Sequence, residues 1–249
     1  MNLGKQLRLK NFYRHDKKHT IIVPMDHGMT MGPIPGLIKM ENLIITLSKH
    51  GIDGIVLHKG IITSYADVLQ DLDIPIIMHL SAGTKLSSNH KKVLVGSVRE
   101  AVSFGCSAVS VHINFGGEDE YEMLRDVAQI SDECYQSGMP LLVMAYAEDY
   151  NVQTARHLAR VSAELGADLV KLFYTEKGGD FRRVVEGCPI PVLIAGGEKS
   201  VDIFGIMQTV KSALCTGVGG LSIGRNVFQS ENIEEILEKL ISLVRSGGK

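Results

Sequence analysis

The chain has 249 residues, of which 45% are hydrophobic and 22% charged, and its formal net charge is −2. Such a composition belongs to an ordinary globular protein and excludes a disordered or fibrous one. The near-neutral balance gives nucleic acid or an anionic membrane surface nothing to hold, and no apolar run reaches the length of a membrane span. The basic start "MNLGKQLRLKNF" lacks the apolar core of a secretory leader. Cys106, Cys134, Cys188 and Cys215 are far apart with no C-x-x-C pair. They read as reduced thiols, small buried hydrophobes of a cytoplasmic protein, with no disulfide framework.

In chain order, the first strand signal is "TIIVPMDHG". A helix-like "ENLIITLSKH" leads into "GIDGIVLHKG" from Gly51. "IPIIMHLSAG" follows, then "GCSAVSVHIN" from Gly105 and "MPLLVMAYAE". The helical "TARHLARVSAEL" precedes "GADLVKLFYT" from Gly166, and "IPVLIAGGEK" and "GVGGLSIGRN" from Gly217 close the series. Four of these segments begin with Gly, a helix-stop signal, and run into β-branched residues. Eight strands alternating with helices imply parallel pairing through right-handed crossovers. Eight such units in a chain of this size predict an α/β fold, a single-domain (β/α)8 barrel, with an open doubly wound sheet as the alternative.

The four Gly-led segments also sort the faces. Four and six residues after each Gly stand Ile55 and Leu57, Val109 and Val111, Val170 and Leu172, Leu221 and Ile223. These large aliphatics belong against the helices. Between them stand Val56, Ser110, Lys171 and Ser222, which therefore point into the barrel as one interior layer. Lysine is seldom buried without a reason. Desolvation favours its neutral amine, and a neutral amine attacks carbonyls to form a Schiff base. The competing reading is a lysine paired with a carboxylate for stability.

Active sites of such barrels lie at the C-terminal ends of the strands. Those ends carry Asp26 and His27, His58 and Lys59, His79 and Ser81, His112 and Asn114, Tyr146 and Glu148, then "AGGEK" and "IGRN". Glycine-rich ends on the last two strands suit a phosphate, with backbone N–H groups approaching its oxygens and Arg225 or Lys199 adding charge. Asp26 reads as a proton-transfer or hydroxyl-binding group, or as a turn cap. Tyr146 reads as a general acid/base or as a rim residue. The four mouth histidines leave a metal site open, although no H-x-H or H-E-x-x-H spacing is present.

Taken together, "GKQLRLKNF…IIVPMDHGMTMGPIPGL", "VLHKG", "HLSAGT", "VGSVREAVSFGCSAVSVHIN", "MPLLVMAY", "ADLVKLFYT", "PVLIAGGEK" and "GLSIGRNVFQ" resemble the archaeal-type class I fructose-bisphosphate aldolase family. The resemblance covers almost the whole chain in order. It implies a Schiff-base lysine at Lys171, a proton-transferring Tyr146, a catalytic Asp26, and phosphate binding by Gly196, Gly197, Gly224 and Arg225. His27, Lys59, His112 and Ser222 are expected to complete the substrate-binding set. No metal or other cofactor is implied. The partners are a sugar phosphate and an aldehyde, and the family suggests a homo-oligomer, a decamer. "MDHGMTMGPIPGL", "LHKG" and "SVHIN" look most like family members that use aspartate semialdehyde to make aminoheptulosonates. One departure stands out. Where the family has Tyr-Pro-Arg-Gly, this chain has "YAED", so an arginine at the acceptor end has become Glu148. That weakens the fructose-bisphosphate alternative, whose acceptor carries a second phosphate.

Overall fold

The structure is a computed structural model that describes residues 2–87, 91–200 and 202–248. Eight strands form the frame: β1 (Thr20–Pro24), β2 (Gly54–Leu57), β3 (Ile76–His79), β4 (Ala108–Phe115), β5 (Leu141–Ala147), β6 (Leu169–Phe173), β7 (Val192–Ala195) and β8 (Gly220–Ser222). Each pairs in parallel with its chain neighbours, and β8 pairs with β1, so the sheet closes into a barrel. The open-sheet alternative is thereby excluded. Gly51, Gly105, Gly166 and Gly217 all take left-handed φ, at 66, 70, 88 and 89°. The repeat seen in the sequence is therefore one helix-to-strand turn used four times, each needing a residue without a Cβ penalty.

Strand faces divide as the sequence predicts. The aliphatics flanking Lys171 and its equivalents pack outward against the helices. A separate inner cluster joins Ile22, Val56, Ile77, Leu142, Leu169 and Leu193. Register explains the layering. Val56 pairs with Ile77 and Ile77 with Ala108, two residues short of Ser110. A shift of one residue per strand is the stagger of an eight-stranded barrel, and it brings Val56, Ser110, Lys171 and Ser222 into one layer.

The base of the barrel is built for stability. Helix Leu3–Leu9 and the 3-10 turn Lys10–Tyr13 bring Phe12, fully buried, onto the inner cluster. Lys5 Nζ meets Asp168 Oδ2 at 2.7 Å, and the same oxygen accepts from Leu141 N at 2.9 Å. Asp53 accepts from Ile21 N and from Arg245. These carboxylates, just before β6 and in front of β2, tie strand starts together. The opposite ends of the strands carry the chemistry. The four cysteines are free thiols. No helix among the described residues is long and apolar enough to cross a membrane.

Candidate active site

Lys171 sits mid-strand in β6, 6% exposed, with Met144 and Leu193 as register partners. Above this layer the chain leaves β1 at Pro24, and Asp26 directly precedes the short helix His27–Met31. Asp26 Oδ2 lies 3.8 Å from His79 Nε2, and Oδ1 lies 3.7 Å from His27 Nδ1. Burial works against the Asp26 carboxylate, but His79, His27, Lys171 and His58 outweigh it and hold its pKa well below the usual carboxylate range. The imidazoles are themselves uncharged at neutral pH. Burial pushes His79 down to about 3 and His112 down to about 4. The Asp26 carboxylate thus sits among groups that favour its ionised form, Lys171 one of them.

Each histidine is tied to the frame. His79 Nδ1 and Ser110 Oγ share a 2.7 Å hydrogen bond, and His79 packs edge-on against His58 with ring centroids 5.1 Å apart. His112 Nε2 bonds Asn114 Oδ1 at 2.7 Å, and His112 N donates to Ser81 Oγ at 2.8 Å. Among the described residues, no three His, Cys, Asp or Glu side chains are grouped to hold a metal ion. Tyr146 leans on His112 at 4.7 Å and on Phe173 at 4.9 Å. Its hydroxyl makes no hydrogen bond to a described residue. The ring is fixed while the oxygen stays available, which is what a proton-transfer group requires.

The ends of β7 and β8 form a cradle. A Cβ on Gly196 would come within 2.6 Å of Ile223, and one on Gly224 within 2.6 Å of Pro24 O and 2.9 Å of His27. Only glycine lets the two ends approach each other and β1 this closely. Asn226 Nδ2 donates to Gly196 O at 2.7 Å and to Glu198 O at 3.1 Å, and its Oδ1 accepts from Ser200 N at 2.8 Å. This one buried side chain therefore shapes the β7 loop from β8. Beside it, His27 Nδ1, Ser222 Oγ, Arg225 Nε and Asp26 Oδ1 are buried with no hydrogen-bond partner among the described residues. Buried polar atoms with no protein partner at a strand-end cradle can accept or donate a hydrogen bond to a ligand or to water.

A model of the DeoC/LacD family of aldolases matches residues 20–230. The chain belongs to that family. Among its relatives, the 2-amino-4,5-dihydroxy-6-oxo-7-(phosphonooxy)heptanoate synthase of Streptomyces griseus is 35% identical over 98% of this chain and 92% of the relative. The 2-amino-3,7-dideoxy-D-threo-hept-6-ulosonate synthase 1 of Archaeoglobus fulgidus is 37% identical over 97% of this chain and 91% of its own. A solved structure of a Schiff-base-forming fructose-1,6-bisphosphate aldolase is 30% identical, covers 97% of this chain and 99% of that one, and has a TM-score of 0.88. The protein is an enzyme of the class I aldolase type.

Within this aldolase the sequence-derived residues are not all brought together. Lys171, Asp26, His27, His112, Tyr146 and Ser222 share the mouth and the layers beneath it, and Gly196, Gly197, Gly224 and Arg225 line its β7–β8 side. Arg225 approaches Glu198 at 3.6 Å, but Glu198 is 91% exposed and screens it little. Lys59 stands apart. Its ammonium bonds Glu100 at 2.9 Å, and both side chains are half-buried. Glu148 is exposed on the wall of a cavity of about 1180 Å³ that runs from Tyr146 past Glu118, Asp119 and Asp149. A cation that sequence reasoning passed over, Lys92, lies on the other side of the mouth. It sits beside Val93–Leu94, which pairs antiparallel with Ser81–Ala82 beyond the end of β3.

Proposed function

We propose that this protein is a Schiff-base aldolase or transaldolase that joins a ketose-phosphate-derived donor to L-aspartate semialdehyde, yielding an aminoheptulosonate. The observation that carries it is Lys171, held inside the strand cylinder over an aliphatic layer and acting electrostatically on an ionised Asp26. The Lys171 amine adds to the donor ketone, and the carbinolamine loses water to an iminium. Loss of a proton from the neighbouring carbon gives an enamine, with the iminium nitrogen as electron sink. The enamine carbon attacks the aldehyde, whose oxygen becomes a hydroxyl by taking a proton. Tyr146, whose hydroxyl makes no hydrogen bond to a described residue, moves these protons, aided by Asp26. Water then hydrolyses the iminium and frees Lys171. Gly196, Gly197, Gly224, Arg225, Ser222 and His27 fix the donor phosphate, and that remote binding energy positions the reacting carbon.

The relatives' product names support this choice of acceptor. In 2-amino-4,5-dihydroxy-6-oxo-7-(phosphonooxy)heptanoate the aldol bond joins carbon 4, the former aldehyde, to carbon 5, beside the ketone. Breaking it leaves dihydroxyacetone phosphate and aspartate semialdehyde. The 3,7-dideoxy ulosonate breaks into the same amino acid and a donor lacking the terminal oxygen, as a deoxyketohexose phosphate would deliver. Glu148, where the family has arginine, disfavours a phosphorylated acceptor and suits the ammonium of an amino acid. The homo-oligomer implied by the resemblance belongs to the same proposal. The test is a competition between aspartate semialdehyde and glyceraldehyde 3-phosphate with each donor. A higher kcat/KM for aspartate semialdehyde is expected. The reverse order would place the chain with the fructose-bisphosphate aldolases.

A further inference from the structure

The geometry points to Lys92 as the specificity residue that receives the carboxylate of the acceptor, an inference that rests on the acceptor reading above. The two-stranded ribbon pairs Ala82 with Val93 and Ser81 with Leu94. Lys92 is therefore laid back across the chain leaving β3, and a Cβ built on Gly83 would stand 3.2 Å from its Cδ and 3.3 Å from its Nζ. The same stretch anchors the neighbouring strand, since Ser81 Oγ accepts from His112 N at 2.8 Å. The ammonium thus belongs to the β2–β3–β4 side of the mouth, and its charge acts on His58, His112 and Asp26.

Two observations make Lys92 a ligand-binding group. The first is charge pairing. Lys59 is taken by Glu100 at 2.9 Å, Lys91 by Asp119 and Glu122, and Lys177 faces Asp149 at 3.6 Å. Lys92 makes no hydrogen bond or ion pair with a described residue. The charge that most favours it is Asp26, which already serves Lys171 and the imidazoles. Burial lowers its pKa, so a half-buried ammonium is held there without a counter-ion of its own. The second is position. The phosphate cradle lies at β7 and β8, and β3 is the strand opposite β7 in the closed order. A donor fixed by its phosphate at β7–β8 and bound to Lys171 on β6 turns its reacting carbon toward β2–β4. The far end of the acceptor then arrives beneath the Lys92 ribbon. The acidic cavity wall at Glu148 extends from Tyr146 on the β4–β5 side, and offers the acceptor's ammonium an opposite charge while Lys92 takes the carboxylate.

The experiment compares aspartate semialdehyde with 3-aminopropanal, which keeps the aldehyde and ammonium but lacks the carboxylate. Dihydroxyacetone phosphate is the donor, and the enzymes are full-length wild type, Lys92→Met and Lys92→Arg. In Lys92→Met the ratio of the two kcat/KM values should fall about tenfold to a hundredfold, the size of a lost charge-assisted hydrogen bond. Lys92→Arg, which keeps the charge, should hold most of the ratio. Borohydride capture of the donor is run on the same samples. A ratio that does not move, or two aldehydes that lose rate together, overturns the inference. So does a Lys92→Met enzyme that no longer captures the donor, because Lys92 then belongs to the donor side. A wild type that captures no donor overturns the Schiff-base reading itself, which is a separate failure.

Discussion

Tyr146→Phe removes one oxygen and little else. The ring leans on His112 at 4.7 Å and on Phe173 at 4.9 Å, and phenylalanine keeps both contacts. The hydroxyl has no hydrogen bond to a described residue, so its loss leaves no orphaned partner. Stability should change by no more than about 0.5 kcal/mol, as for a substitution that opens no large cavity and orphans no buried partner. Turnover should fall roughly a hundredfold to ten-thousandfold, the usual range for removing a general acid or base. A hundredfold is about 2.7 kcal/mol at 1.36 kcal/mol per decade. The two effects differ enough to be separated. Thermal unfolding gives the first, steady-state turnover gives the second, and borohydride capture shows whether the imine still forms. Turnover within threefold of wild type, with capture intact, would reduce Tyr146 to a rim residue and refute the proton-transfer argument.

Arg225→Ala should raise the donor KM about tenfold to a hundredfold, while the acceptor KM moves little. Initial rates with a phosphorylated and a dephosphorylated donor measure this, and wild type should strongly prefer the phosphorylated one. A second expectation concerns acid. His79 is buried neutral, with a pKa near 3 against an unfolded value of 6.5, so the unfolded chain binds its proton first. The folded state therefore loses stability as pH falls from about 6.5 toward 3. Asp26, whose pKa lies below its ordinary value of 3.8, stays ionised through most of that window and adds to the loss only at lower pH, where the unfolded chain takes up its proton first. His79→Asn keeps an acceptor or donor near Ser110 but does not titrate, so its Tm should fall less steeply between pH 6.5 and 4. Parallel curves for the two proteins would show that another group sets the slope.

Much of this layout was legible from residue order. The eight alternations, the four Gly-led turns and the placement of Lys171 beside Val56, Ser110 and Ser222 all follow from local signals of period two, which register then preserves. Residues that act across the chain were harder to place. Asn226 shapes a loop on another strand, and its role appears only once Gly196 O and Glu198 O lie within reach. Lys92 lies just outside a strand, and its place depends on pairing Val93 with Ala82, for which a two-residue ribbon gives no periodic signal. Lys59 shows the converse. It follows a strand end, as a site residue should, but its side chain runs to Glu100, which is held by the capping box of helix Val98–Ser103. Phe12 and Lys5 stand in a basic N-terminal stretch whose docking under the barrel has no signature in that stretch alone.

Borohydride trapping with dihydroxyacetone phosphate, followed by peptide mass spectrometry, tests the central claim most directly. The reduced donor adduct should appear on the peptide carrying Lys171 and disappear in Lys171→Met, whose side chain suits an apolar layer and should leave the fold intact. An adduct on Lys92, Lys59 or Lys199, or no adduct while carbon–carbon bond formation continues, would contradict it.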